Sequence, residues 1–315
     1  MPAIAAYAPG KIILTGEHAV VYGQPAIAAP VEEVRARAGI EANPTEPDGK
    51  INIIAPDIGL DTSLDALPLE HPIATVFREV RQELGLDHLP AMTLNITSTI
   101  PIAAGLGSGA AISVAVSRAL SSFLGSPLSD EVVSRIAFET DRFYHGTPSG
   151  IDNSVISYGR MIYFTRGQPL EILTNAETLT LVIADSGEKS LTGKVVHGLR
   201  TRIELDPQRY DPILEKIGVV SFSARETIEK GDPVGLGNLL NDDHSLLQQL
   251  GVSSANLDLL VRIAREAGAL GAKLSGAGCG GNMIALVEPD NAQAVAAALM
   301  SAGAVNAIFT TIPQS

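Results

Sequence analysis

The 315-residue sequence predicts an α+β protein of two domains, 1–178 and 179–315. Three observations carry that expectation. A glycine-rich turn at 101–111 joins a β-branched alternating run to a helical run that is apolar on every side. The first half has alternating runs separated by hairpin-like breaks, so it is no simple succession of strand and helix. The second half sets several helical periodicities around a few strongly apolar strand-like runs, as when helices lie on a sheet. With 45% hydrophobic residues, the chain has enough apolar side chain for a core in each domain.

Residues 3–15 are mostly apolar and interrupted at Ala8-Pro9-Gly10-Lys11, which reads as a strand with a turn or bulge, followed directly by Gly16-Glu17-His18. Residues 31–55 alternate, break at Asn43-Pro44 and resume at 51–54, the pattern of antiparallel strands joined by hairpins. Helical spacing over 73–84 precedes clean alternation over 92–100. Beyond the glycine turn come helices over 110–124, closed by Gly125, and over 130–145, closed by Gly146 and Pro148. Residues 155–165 read as one or two strands and 179–184 as a buried strand. Helices follow over 194–204, 212–230, 238–250 and 254–267, then a strand-turn-strand at 273–287 and a last helix at 291–301.

Composition excludes several classes. A formal net charge of −13, from 22 basic and 35 acidic residues, is the wrong sign for a duplex nucleic-acid partner. Aromatic content of 4% with no tryptophan leaves few platforms for stacking single-stranded bases. The single cysteine, Cys279, excludes an intrachain disulfide and a cysteine-rich zinc framework, which fits a cytoplasmic protein. Lys11, Glu17 and His18 break the stretch that an export signal keeps apolar, and no run of about 18 uncharged apolar residues suggests a membrane span. A small molecule is the expected partner.

Four segments carry chemistry. In Pro101-Ile102-Ala103-Ala104-Gly105-Leu106-Gly107-Ser108-Gly109-Ala110-Ala111, three glycines let backbone approach a bulky anion, and the helix start aims free N–H groups at it. The spacing is neither a Walker A loop nor Gly-x-Gly-x-x-Gly, and a bare strand-to-helix connection would use the same glycines. A second cluster, Lys273-Leu274-Ser275-Gly276-Ala277-Gly278-Cys279-Gly280-Gly281-Asn282, reads as a turn whose backbone packs against the first turn or against a phosphoryl group, or as a flexible hairpin. The segment Asp141 to Asn153 leaves a helix and presents Asp152 from a Gly/Pro-constrained turn, as a proton acceptor or as a turn residue. Lys11 sits between apolar strand residues, which is costly for an ammonium unless it faces a cleft or a carboxylate. His18 reads either as a substrate hydrogen-bonding group or as a satisfied structural histidine, because the six histidines show no metal-ligand spacing.

The order of these motifs resembles the GHMP kinase superfamily over nearly the whole chain. Within it, Ala8-Pro9-Gly10-Lys11 through Gly16-Glu17-His18-Ala19-Val20, together with Pro148-Ser149-Gly150-Ile151-Asp152-Asn153, is similar to the branch that phosphorylates mevalonate. Galactokinases carry an Asn and a Thr-Asp around their Gly-Glu-His, and Ala19-Val20 does not match. The resemblance implies an N-terminal domain like ribosomal protein S5 domain 2, a ferredoxin-like C-terminal domain, and an active site between them. It implies transfer of the γ-phosphoryl group of ATP, with Mg²⁺, to the 5-hydroxyl of mevalonate, and a homodimer as the candidate assembly. Asp152 would be the base and Lys11 would hold the hydroxyl, with Glu17 and His18 on the substrate side and Thr192 near the transferred phosphoryl. Pro101, Gly105, Leu106, Gly107, Ser108, Gly109, Ala110 and Ala111, with Ser275, Gly276, Ala277 and Gly278, would cradle the nucleotide. Ser108 and Asp141 would face Mg²⁺, although the superfamily commonly has a second serine where this chain has Gly109 and a glutamate where it has Asp141. Sister kinases for phosphomevalonate, homoserine or a sugar share the implied fold, as would a non-catalytic ligand sensor.

Overall fold

The strands expected in the first hundred residues form, but with different neighbours. The structure, a computed structural model, describes residues 4–101, 105–145, 148–190 and 192–315. The middle of the glycine turn (102–104), Gly146, which with Pro148 is expected to end a helix, Thr147 and residue 191 lie outside the described residues. Two compact units divide the chain. One comprises Met1–Gly10, Val34–Pro101 and Gly107–Gly159, and the other Lys11–Glu33, Ile102–Leu106 and Arg160–Ser315.

The chain opens with β1 (Ile4–Thr15), a single 3-10 turn (Ala19–Tyr22) and the long β2 (Ala26–Ala42). Then follow β3 (Ile51–Ala55), β4 (Leu60–Ser63), α1 (Pro72–Glu83) and β5 (Met92–Ser98). The first unit continues with α2 (Ser108–Phe123), α3 (Asp130–His145) and α4 (Ile151–Tyr158). In it, β2 does not form the expected hairpin with β3. β5 lies between them, antiparallel to β2 and parallel to β3, while β3 makes its hairpin with β4. The cause lies in the connecting segments: the loop after β2 hydrogen-bonds to the run into β5, Asn43 N to the Ala91 carbonyl at 2.9 Å and Gly49 N to the Leu89 carbonyl at 2.8 Å. Alternation specifies which face a strand buries, not which strand lies beside it.

The all-round apolar pattern of α2 does mark a central helix. It packs on α1, α3, α4 and β5, with Val114, Val116 and Leu120 fully buried. Each such side chain contributes roughly 1.5–3 kcal/mol. The expected strand at 155–165 is corrected: α4 occupies 151–158, and only β6 (Ile162–Phe164) is extended. Gly150 takes φ 96° at the N-cap and its carbonyl accepts the Ser154 hydroxyl at 2.7 Å, so the apolar Val155-Ile156 pair is buried on a helix. A short apolar run fits either element by period alone.

In the second unit, residues 26–28 of β2 pair antiparallel with β6, and β6 with β7 (Glu171–Ile172). The remaining elements are β8 (Leu179–Asp185), α5 (Thr192–Leu205), α6 (Pro207–Lys230), α7 (Pro233–Gln249) and α8 (Ala255–Glu266). After them come β9 (Gly271–Ser275), β10 (Asn282–Val287), α9 (Ala292–Ser301) and β11 (Asn306–Ile312). The sheet order is β11-β8-β10-β9, all antiparallel, which is the 4-1-3-2 order of a ferredoxin-like fold. β11 was not expected from the sequence. It is an edge strand whose outer residues are exposed, so its pattern carries only a weak apolar period.

Candidate active site

In the first unit, α2 begins earlier than its apolar period suggests. Gly107 adopts φ 76° as N-cap, which places Ser108 and Gly109 in the first turn. The Ala111 amide closes on the Gly107 carbonyl at 2.9 Å, and the preceding amides have no intrahelical partner, as an anion-binding helix start requires. The Ser113 hydroxyl donates to the Gly109 carbonyl at 3.1 Å and lies 2.8 Å from Thr140 Oγ1, tying this first turn to the α3 residue next to Asp141. Asp141 is buried. Asp152 lies in the first turn of α4 rather than in a turn before a strand, so it occupies the positive end of a helix dipole. Its neighbour Asn153 is fixed to Ser134, donating to the carbonyl at 3.1 Å and to the hydroxyl at 2.9 Å.

In the second unit, three sequence segments meet. The Lys11 amide donates to the Leu106 carbonyl at 3.0 Å, and the Lys11 side chain is buried. A Cβ added to Gly276 would lie 3.8 Å from the Gly105 carbonyl oxygen, so the two glycine turns run main chain against main chain. The Ser275 hydroxyl is spent on β1, accepting from Ile13 N at 3.1 Å and donating to Ile13 O at 3.0 Å. Any ligand contact at 275–278 therefore falls to the backbone. That turn is held from the other side as well. Gly278 takes φ 77°, its carbonyl accepts the Ser190 hydroxyl at 2.7 Å, and Gly281 N donates to the Glu188 carbonyl at 2.8 Å. These bonds fix the segment just ahead of Thr192, the first residue of α5.

Glu17 and His18 are set by an unusual turn. His18 has φ 61° and ψ −48°, and Ala19 N reaches back to the Glu17 carbonyl at 2.6 Å, a γ-turn of the rare positive-φ kind. The ring Nε2 lies 2.9 Å from the Ala277 carbonyl. A carbonyl only accepts, so Nε2 carries the proton and Nδ1 is left as an acceptor. Burial lowers the His18 pKa to about 4, outweighing the Ala277 bond. His18 is therefore expected to stay neutral from pH 5 to 8, and nitrogen chemical shifts that titrate near pH 6.5 would contradict this. Glu17 Oε1 pairs with Lys273, which also donates to the Leu274 carbonyl at 2.8 Å and lies 3.4 Å from Asp243 Oδ2. From the sequence, Lys273 stands only as the first residue of the second glycine cluster, with no role of its own, and Asp243 in none of the four segments. The signal used for Lys11, an ammonium inside an apolar strand, was equally present in Gly271-Ala272-Lys273-Leu274.

The family model for the GHMP kinases N terminal domain matches residues 71–160, and that for the GHMP kinases C terminal matches residues 224–305. The chain belongs to the GHMP kinase family and is an ATP-using kinase. Mevalonate kinase of Thermococcus sibiricus is 40% identical to it, over 95% of this chain and 93% of the relative. Mevalonate kinase of Pyrococcus horikoshii is 38% identical, over 96% and 93%. A crystal structure of L. major mevalonate kinase in complex with R-mevalonate has the same two-domain fold, with TM-score 0.83, 31% identity and coverage of 99% of this chain and 96% of that one.

Proposed function

We propose that this kinase transfers the γ-phosphoryl group of ATP to the 5-hydroxyl of mevalonate. The observation that carries the reading is the end-to-end match, at 38–40% identity, to relatives named mevalonate kinase. In this reading Asp152 takes or directs the hydroxyl proton and Lys11 holds the hydroxyl oxygen as it attacks. The neutral His18 offers Nδ1 to a substrate hydroxyl, Glu17 sits on the same side, and Thr192 faces the transferred phosphoryl. The backbone around Pro101, Gly105 to Ala111, and Ser275 to Gly278 cradles the phosphates. Phosphoryl transfer asks chiefly for positioning and charge neutralisation, which suits this residue set.

Mg²⁺ belongs to the same proposal. Among the described residues no group of three His, Cys, Asp or Glu side chains forms a ligand cage. Asp141 offers one buried carboxylate and Ser108 one hydroxyl, while Gly109 has none to give. That sparse oxygen set suits Mg²⁺, which keeps waters and takes its remaining ligands from nucleotide phosphates. Bound there, the ion would neutralise charge on the β- and γ-phosphates.

The test is a panel of mevalonate, phosphomevalonate, homoserine and galactose with MgATP, read as ADP release. Turnover of mevalonate above the others is expected. Turnover of another acceptor without mevalonate overturns the substrate, and binding without turnover of any overturns the kinase assignment of the site.

A further inference from the structure

Lys273, Glu17 and Asp243 form a buried charge cluster in the second unit, with side chains at most 1% exposed. Lys273 comes from β9, Asp243 from α7 and Glu17 from the turn after β1. Glu17 Oε2 and both Asp243 oxygens lack a hydrogen-bond partner. Two carboxylates beside one ammonium leave an uncompensated charge in a low-dielectric interior, so a proton on one of them is strongly favoured. Burial and the nearby Glu17 charge raise the Asp243 pKa to about 8, against the opposing pull of Lys273. The other groups around the cluster are His244, on α7 itself, with Asp258 and Arg265 facing it from α8, and Arg202 on α5, which acts on His18. Nδ1 of His244 accepts the Leu274 amide at 3.3 Å, and burial lowers its pKa to about 4, so it stays neutral where Asp243 titrates.

The cluster lies one residue from a strained backbone. A positive-φ γ-turn at a non-glycine residue persists only when its surroundings over-determine it. Here two contacts do so: Glu17 to Lys273 on one side, and the His18 ring to the Ala277 carbonyl on the other. We propose that Lys273 and Asp243 are positioning residues for the phosphoryl acceptor: Lys273, by holding Glu17, keeps the His18 turn closed and its ring on Ala277, and Asp243 beside it sets how fully Lys273 is committed to Glu17. The inference rests on reading His18 as an acceptor-binding residue. Its consequence is a dependence on pH. While Asp243 is protonated, Lys273 is committed to Glu17. Once Asp243 ionises, Lys273 is shared between two anions, Glu17 is repelled, and the turn loosens.

The experiment compares wild type with Asp243→Asn, an isostere that mimics the protonated acid, between pH 7 and 9.5. In wild type the ¹⁵N resonances of His18 are expected to shift through a transition near pH 8, and the KM for mevalonate to rise at least about threefold with little change in the KM for ATP. In the variant both changes are expected to vanish. A transition in Asp243→Asn equal to that in wild type overturns the inference. Should the variant fail to fold, wild type decides alone, and a His18 resonance and acceptor KM flat to pH 9.5 overturn it. The substrate reading is judged separately: absence of mevalonate turnover at pH 7 defeats that reading, while the His18 resonance still tests the positioning role.

Discussion

Replacing Asp152 with asparagine is expected to lower kcat by about 10²–10⁴-fold, the usual worth of a positioned proton acceptor. ATP affinity should stay within a few-fold of wild type. The substitution is isosteric and lies in the first turn of α4, which is anchored independently by Asn153 on Ser134 and by the Ser154 hydroxyl on Gly150. Neither anchor needs the Asp152 charge. Single-turnover phosphorylation with saturating ATP, beside a nucleotide-binding titration, separates the two effects. Near wild-type turnover would remove Asp152 from the chemistry, and a parallel loss of nucleotide binding would make its role structural.

The second large effect is expected at Gly278. A Cβ there would lie 1.9 Å from the Val252 carbonyl oxygen, far inside van der Waals contact, and φ 77° is a conformation that alanine adopts only at a cost. The left-handed backbone costs about 1–2 kcal/mol, and forcing a methyl into packed backbone typically costs a further 1–3 kcal/mol. Gly278→Ala should therefore destabilise the protein by about 2–5 kcal/mol and lower Tm by roughly 3–8 °C. The neighbouring amides are displaced as well, because Cys279 N donates to the same Val252 carbonyl at 2.7 Å. Thermal melts with and without nucleotide would measure both, and an unchanged Tm would mean that the turn can be rebuilt around the methyl.

Much of the fold was legible because it rests on short-range patterns. Apart from α4, the helices of both halves form where the helical period lies, with α6 and α7 starting five residues earlier than it suggests, and the alternation of β5 and the apolar run of β8 appear in place. What failed was long-range or ambiguous. β5 separates β2 from β3 through hydrogen bonds between loops some forty residues apart, which no local pattern encodes. Residues 151–158 are helical because Gly150 caps them and α2 and α3 cover them, and a run of eight residues does not disclose that. In the candidate site, the place of Lys11 within an apolar strand and the turns at the two glycine-rich segments were readable from residue type alone. The Lys273–Glu17 pair was not, since its partners stand 256 positions apart and only the fold shows that they meet.

The division of the chain bears on how its halves can be exchanged. The second unit draws residues 11–33 from near the start of the sequence, and among them is Glu17, the carboxylate that neutralises Lys273 deep in that unit. A chimera joined near residue 178 would carry Lys273 and Asp243 from one parent and the turn they hold from the other. For a recombination experiment the unit of inheritance is thus the discontinuous set of three segments, and a crossover that respects sequence order alone would split a buried ion pair between two ancestries.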